Sequence, residues 1–165
     1  MSYHLRQFRE ADASALAEIT LAAIERIGAT AYSPAQVSAW AARHPRAERF
    51  VERSANGADI FVAADADDNA VAYSVLEAAE ANSGHLDMLY CHPNHTRIGL
   101  AERLLEAAEE CARGQNMTRL FTEASELARP VFERCGYKLL HRRDLEIEGT
   151  PIHNFAMEKH LLRGA

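Results

Sequence analysis

The densest chemistry in this 165-residue chain lies in the run Leu86-Asp87-Met88-Leu89-Tyr90-Cys91-His92-Pro93-Asn94-His95-Thr96-Arg97-Ile98-Gly99-Leu100-Ala101. A strand ends, a short loop turns, and a helix begins at a glycine and an alanine. Residues this small let backbone approach a ligand closely, and the first N–H groups of a helix have no partners within it. Together with the positive end of the helix dipole, those donors make a phosphate site. The run is not a P-loop, because the Gly-Lys-Ser/Thr ending is absent. It is not a dinucleotide fingerprint either, because it holds a single glycine. Read from this window alone, Gly99 serves equally well as a residue that merely eases the turn.

Just upstream stands His85, whose ordinary pKa of about 6.5 leaves neutral imidazole available as a base at physiological pH. Asp87 is two residues on, so strand alternation predicts both on one face, where Asp87 can orient His85 or relay through water. The plainer account is a solvent-facing histidine at a strand end. Cys91-His92 makes a poor nucleophile and base, since adjacent strand residues point to opposite faces. The remaining histidines, His4, His44, His95, His141, His153 and His160, show no metal-ligand spacing and read as surface or packing residues. No metal is expected.

These groups need a scaffold. Tyr3 to Arg9 alternates as a strand, and Asp12 is placed to cap a helix with the stripe Leu16, Ile19, Ala23, Ile27 and Gly28 as its stop. Ser33-Pro34-Ala35-Gln36 has the form of a capping box with proline at the first helical position, and this second helix should end before Pro45. Ile60 to Ala64, Val71 to Glu77 and His85 to Cys91 read as strands, with a turn at Asp65 to Asn69. A helix over 100–113 buries Leu100, Leu104, Leu105, Ala108, Cys111 and Ala112, with Gly114 as its cap. Arg119 to Glu123 is a strand. Leu127 to Cys135 is a helix constrained by Pro130 and closed by Gly136. The strands 137–146 and 151–158 flank Glu148-Gly149-Thr150 as a hairpin. The order β-α-α-β-β-β-α-β-α-β-β predicts an α/β (α+β) domain over 1–165, a mixed central sheet of about six to seven strands flanked by about four helices.

Bulk properties narrow the function. Hydrophobic residues make up 48% and charged residues 25%, so one packed domain is expected rather than disorder. The net charge is −6, and no Lys/Arg run exceeds the pair Arg142-Arg143, which argues against nucleic-acid and anionic-membrane partners. The three cysteines have no C-x-x-C spacing, and no apolar run approaches the roughly 20 residues that span a bilayer. The opening Met1-Ser2-Tyr3-His4-Leu5-Arg6 lacks a signal-peptide core. A reducing, cytoplasmic setting is expected.

Two segments at the right separation resemble the GNAT superfamily of N-acetyltransferases. Thr96-Arg97-Ile98-Gly99-Leu100-Ala101 is similar to its Gln/Arg-x-x-Gly-x-Gly/Ala signature, preceded by the strand end Leu89-Tyr90-Cys91-His92-Pro93. Ser125-Glu126-Leu127-Ala128 and Phe132-Glu133-Arg134-Cys135-Gly136-Tyr137 resemble the family's Asn-x-x-Ala and Tyr-Glu-x-x-Gly-Phe pattern. Asn154 to Lys159 looks like its last strand. Three departures stand out: Thr96 replaces Gln or Arg, Ser125 replaces Asn, and Phe132 replaces the tyrosine credited with protonating the leaving thiolate.

The resemblance implies transfer of acetyl from acetyl-CoA to a primary amine of a small molecule or peptide by direct attack. It implies a cofactor site at Leu89, Tyr90, Cys91, Thr96 to Ala101, Ser125, Ala128 and Phe132, with Arg129 and Arg134 as candidates for the phosphates. A backbone N–H near Leu89 would polarise the thioester carbonyl. His85 falls where several members carry a catalytic glutamate, and with Asp87 it is the candidate base. Tyr32 and Trp40 fall in the acceptor region, where an aromatic pair can hold an amine by cation–π contact, although packing explains Trp40 as well. The runner-up is a coenzyme A-binding sensor without turnover. The terminal hairpin also offers an edge to which a second copy can add as a homodimer.

Overall fold

A computed structural model describes residues 2–162; Met1 and residues 163–165, the ends of the expected 1–165 domain, lie outside the described residues. The elements in order are β1 (His4–Gln7), α1 (Ala13–Ala22), α2 (Pro34–Ala41), α3 (Ala47–Ala55), β2 (Asp59–Ala64), β3 (Ala70–Ala79), β4 (Ser83–Cys91), α4 (Leu100–Gly114), β5 (Arg119–Ala124), α5 (Arg129–Arg134), β6 (Lys138–Ile147) and β7 (Thr150–His160). The seven strands form one sheet in the order β1-β2-β3-β4-β5-β7-β6. Only β4 and β5 run parallel, because α4 carries the chain back between them. No described helix is long and apolar enough to cross a membrane.

Both faces of the sheet are covered. On one, Leu104, Leu105, Ala108 and Ala112 of α4 are fully buried with Leu76, Leu86, Leu120 and Met157. On the other, Leu16 and Ile19 of α1 and Phe50 of α3 pack on Ile60, Val62, Tyr73 and Val75. Each such leucine removed from water is worth about 1.5–3 kcal/mol, so α4 is held by its stripe rather than by propensity.

Four local expectations change. The helix α3 was not foreseen, because between Arg46 and Ala55 only Phe50 is buried and the apolar period is too sparse to read. Asp12 does not cap α1; its carboxylate takes two hydrogen bonds from Arg6, at 2.8 and 2.9 Å, and one from the Arg9 backbone. Gly28 does not stop α1, which continues through a π turn at Ala23–Ile27 and a 3-10 turn at Gly28–Thr30. Its glycine instead admits the Trp40 ring, which a Cβ would meet at 3.4 Å. Gly114 lies inside α4, and Asn116 (φ 62°) makes the reversal that follows. The Ser33–Gln36 capping box and the Gly136 reversal (φ 90°) form as read.

Candidate active site

The parallel pair β4–β5 is joined only over Ser83–His85 and Arg119–Phe121, and beyond that the two strands part. Thr122 marks the fork, where its buried hydroxyl donates to the Leu86 carbonyl at 2.7 Å. On the β3 side, Leu76 pairs with Leu86 and Val75 with Met88, which leaves Asp87 as the extra residue of a bulge. The bulge shifts the alternation by one, so Leu86 and Leu89 both pack beneath α4. His92 N–H donates to the Val71 carbonyl on β3. Alternation then sends the Tyr90 and Met88 N–H groups the same way and aims those of Leu89 and Cys91 into the fork.

Two clefts open on the parted strands and share Leu89, Tyr90, Ser125, Ala128 and Trp40. The larger, of about 920 Å³, runs along the start of α4. Gly99 caps that helix with φ 83°, and a Cβ built there meets nothing within 4 Å. The helix N-terminus therefore faces open space, with unpaired donors ahead of the first intrahelical bond from Arg103 to Gly99. Arg26, Arg97 and Arg134 line the same cleft, although Arg134 also pairs with Glu102 at 2.9 Å. A long anionic cofactor fits this combination of backbone donors and cations.

Of the residues assigned to the cofactor from sequence, Leu89, Tyr90, Cys91, Thr96, Arg97, Gly99, Leu100, Ala101, Ser125 and Ala128 line this cleft. Ile98 is exposed and outside it, and Phe132 lines the second cleft instead. Phe132 is buried edge-on against Tyr137, which brings no hydroxyl in its place because Tyr137 donates to Glu109. Arg129 stays away from the cleft, paired with Glu133 and lying over the Phe155 ring. Arg26 comes from the π turn after α1 and carried no sequence signal.

The second cleft, of about 320 Å³, lies under the β6–β7 hairpin. Tyr32 and Trp40 both line it, their rings edge-to-face at 5.5 Å. Tyr32 is pinned by its hydroxyl, which donates to the His153 carbonyl and accepts from the Glu126 N–H. Asp87 lines the cleft, anchored by Arg53 at 2.7 Å, but His85 does not. Its imidazole stands behind Glu123, to which Nε2 is bonded at 2.6 Å, and its other nitrogen lies 3.9 Å from Asp87. Stacked on Phe121, it opens instead toward a third cleft near Arg53. Burial pushes the His85 pKa down, but the Glu123 hydrogen bond and the charges of Glu123, Asp87 and Glu77 outweigh it, and the net shift is upward. The His85 hydrogen bond holds Glu123 below the usual carboxylate range.

Two residues of this cleft escaped the sequence reading. Glu123 sits on a strand where one acid among 24 Asp and Glu draws no notice. His153, read as a surface or packing residue, lines the cleft with Nε2 on Glu126 at 2.7 Å. The Cys91 thiol is pushed up to about 12 by burial, which disqualifies it as a nucleophile.

The comparisons with known proteins agree with this architecture. The acetyltransferase (GNAT) domain family matches residues 28–161, and the chain belongs to it. It is an acetyl-CoA-dependent acyltransferase. The uncharacterized N-acetyltransferase YafP of Escherichia coli K12 is 29% identical over 153 residues, which cover 93% of each chain. A GCN5-related N-acetyltransferase from Rhodopseudomonas palustris superposes with a TM-score of 0.85 at 29% identity, over 98% of this chain and 97% of that one. The PaiA N-acetyltransferase of Thermoplasma acidophilum, solved with coenzyme A, has the same fold, with a TM-score of 0.77 at 22% identity over 98% and 100% of the two chains.

Proposed function

We propose that the chain moves the acetyl group of acetyl-CoA to a primary amine of a small molecule or peptide by direct attack. The observation that carries this reading is the fork between β4 and β5, where the two clefts meet at Leu89 and Tyr90. The larger cleft would take acetyl-CoA, with its phosphates on the N–H groups after Gly99 and on Arg26 and Arg97. Bound there, the cofactor supplies a thioester carbonyl. The Leu89 N–H, left without a strand partner by the fork, is placed to polarise its oxygen, and Cys91 N–H adds a second donor along the cleft.

The acceptor amine enters from the smaller cleft and must lose a proton, since a lysine-type amine with a pKa of about 10.4 is nearly all charged at neutral pH. Glu123 meets it first. The carboxylate accepts the proton at Oε1, while Nε2–H of neutral His85 donates to Oε2 and keeps the carboxylate ionised and aimed. The proton then leaves to solvent through the cleft. Protonation of His85 at Nδ1 gives an imidazolium between Glu123 and Asp87, consistent with its raised pKa. In this reading the base is Glu123, and His85, expected from the sequence to be the base, becomes a positioning residue behind it, with Asp87 beside the pair. Phe132 cannot protonate the leaving sulfur; a thiol with an ordinary pKa of about 8.5 leaves without an acid.

Calorimetric titration of acetyl-CoA and coenzyme A into the wild-type protein and Gly99→Glu tests the reading, with an amine panel followed by thiol release. Saturable binding, weakened about a hundredfold by a carboxylate placed at the phosphate site, is the expected result. No binding by the wild type would overturn the proposal. Binding without turnover of any amine would favour the sensor instead.

A further inference from the structure

The smaller cleft carries two opposite charges side by side, in an ion pair too long to be a hydrogen bond. Glu123 gives Oε2 to His85, while its Oε1 lies 3.8 Å from Nη1 of Arg143 on β6, too far for a hydrogen bond. Among the described residues, Arg143 has, besides this loose ion pair, one side-chain hydrogen bond, to Asn154 Oδ1 at 3.3 Å, so most of its five donors remain for a ligand. The hairpin that supplies Arg143 also supplies Leu145, Ile147 and Ile152, an apolar wall beyond the charged pair. A simple monoamine would set its ammonium on Glu123 within reach of the Arg143 charge and leave that guanidinium unpaired.

We infer that the acceptor is a free α-amino acid with an apolar side chain, its amine on Glu123, its carboxylate on Arg143 and Asn154, and its side chain against Leu145, Ile147 and Ile152. The inference rests on the acetyl-transfer reading above and specifies the acceptor of that same site. An α-amine and its carboxylate are attached to one carbon, so they present opposite charges at neighbouring positions, as Glu123 Oε1 and Arg143 do. Guanidinium and carboxylate are matched planar partners, which makes arginine a better reader of the carboxylate than a point charge. The cleft's volume of about 320 Å³ suits a single amino acid. In a peptide N-terminus the carboxyl carbon is an amide, and it gives Arg143 no charge to hold.

The test compares L-leucine, L-leucinamide and 3-methylbutylamine as acceptors, by thiol release at saturating acetyl-CoA, in the wild type and in Arg143→Met. Arg143 is about two-fifths exposed, so its replacement leaves the fold intact. The wild type is expected to prefer leucine over both analogues by about a hundredfold in kcat/KM, and Arg143→Met to reduce that ratio to within severalfold. Titration of L-leucine into the protein without acetyl-CoA gives a second readout, with binding expected for the wild type and lost in Arg143→Met. Equal use of the three acceptors, or an unchanged ratio in the variant, overturns the inference and leaves acetyl transfer standing. If none is acetylated, the titration decides, and absence of leucine binding overturns the inference. Acetyl-CoA binding in the same preparation shows whether the cofactor reading falls with it.

Discussion

The two halves of the β4–β5 pair differ in everything but their strands. Before the fork, Ser83–His85 pair with Arg119–Phe121, and the backbone groups of both strands are consumed by the sheet. Packing there is tight: a Cβ on Gly84 would come within 2.6 to 2.9 Å of Leu120, Met117 and Leu76, all buried. Past Thr122 the same strands diverge, no ladder joins them, and both clefts open against the unpaired edges. Buried backbone donors must find partners. In the closed half the neighbouring strand provides them; in the open half they face the two clefts, free for a ligand. A sheet can therefore build a binding site by withholding a few hydrogen bonds, provided the adjoining half is packed firmly enough to hold the strands apart.

If that division holds, a change in the open half should damage turnover and spare stability. Glu123→Gln should lower kcat/KM by about a hundred- to ten-thousandfold, the usual worth of a positioned acid–base group, with acetyl-CoA affinity preserved. Steady-state thiol release and calorimetry measure both, and unchanged turnover would remove Glu123 from the proton path. The converse applies to the closed half. Gly84→Ala should cost about 1–3 kcal/mol in urea unfolding by overpacking three side chains at once, while the folded fraction still binds acetyl-CoA.

The fork itself gives a smaller effect. Thr122→Val leaves the Leu86 carbonyl without its donor and should cost about 1–2 kcal/mol of stability. If the fork is fixed by that bond, acetyl-CoA affinity should weaken as well; unchanged affinity would assign the fork to the packing of Gly84 alone. The subtlest test is pH. Protonated His85 weakens Glu123 as a base, and its own pKa is raised, so kcat/KM should fall on the acid side with a midpoint above 6.5, and this limb should vanish in His85→Gln. The stability sign is opposite. Protonated His85 stabilises the fold below its unfolded pKa of about 6.5, and this is lost as pH rises through the raised folded value. A wild-type advantage over His85→Gln that grows with pH would contradict the pairing.

Much of the molecule was legible because the signals are local. The stripe of α4, the Ser33–Gln36 box, the Gly99 and Gly136 reversals and the hairpin at Glu148-Gly149 each depend on residues a few positions apart. The head of the larger cleft is local too, being one strand end, one loop and one helix start. Ten of the twelve residues assigned to the cofactor line the cleft, although Arg26, Trp40 and Arg134 reach it from other elements. The smaller cleft has no such local part. Its walls come from α2, β4, β5, β6 and β7, and no spacing in the chain announces that Glu123 and Arg143, or His153 and Glu126, will meet.

The sequence by itself determined most of the elements and the turn before α4, because helix termini and strand periods are written in neighbouring side chains, and its resemblance to the GNAT superfamily carried the class of enzyme. Tertiary structure decided the rest. It set a bulge at Asp87 that broke the expected alternation, a carboxylate between His85 and the smaller cleft, and a guanidinium brought across from the hairpin. These depend on register and strand divergence, where contacts between residues far apart in the chain outweigh local preference.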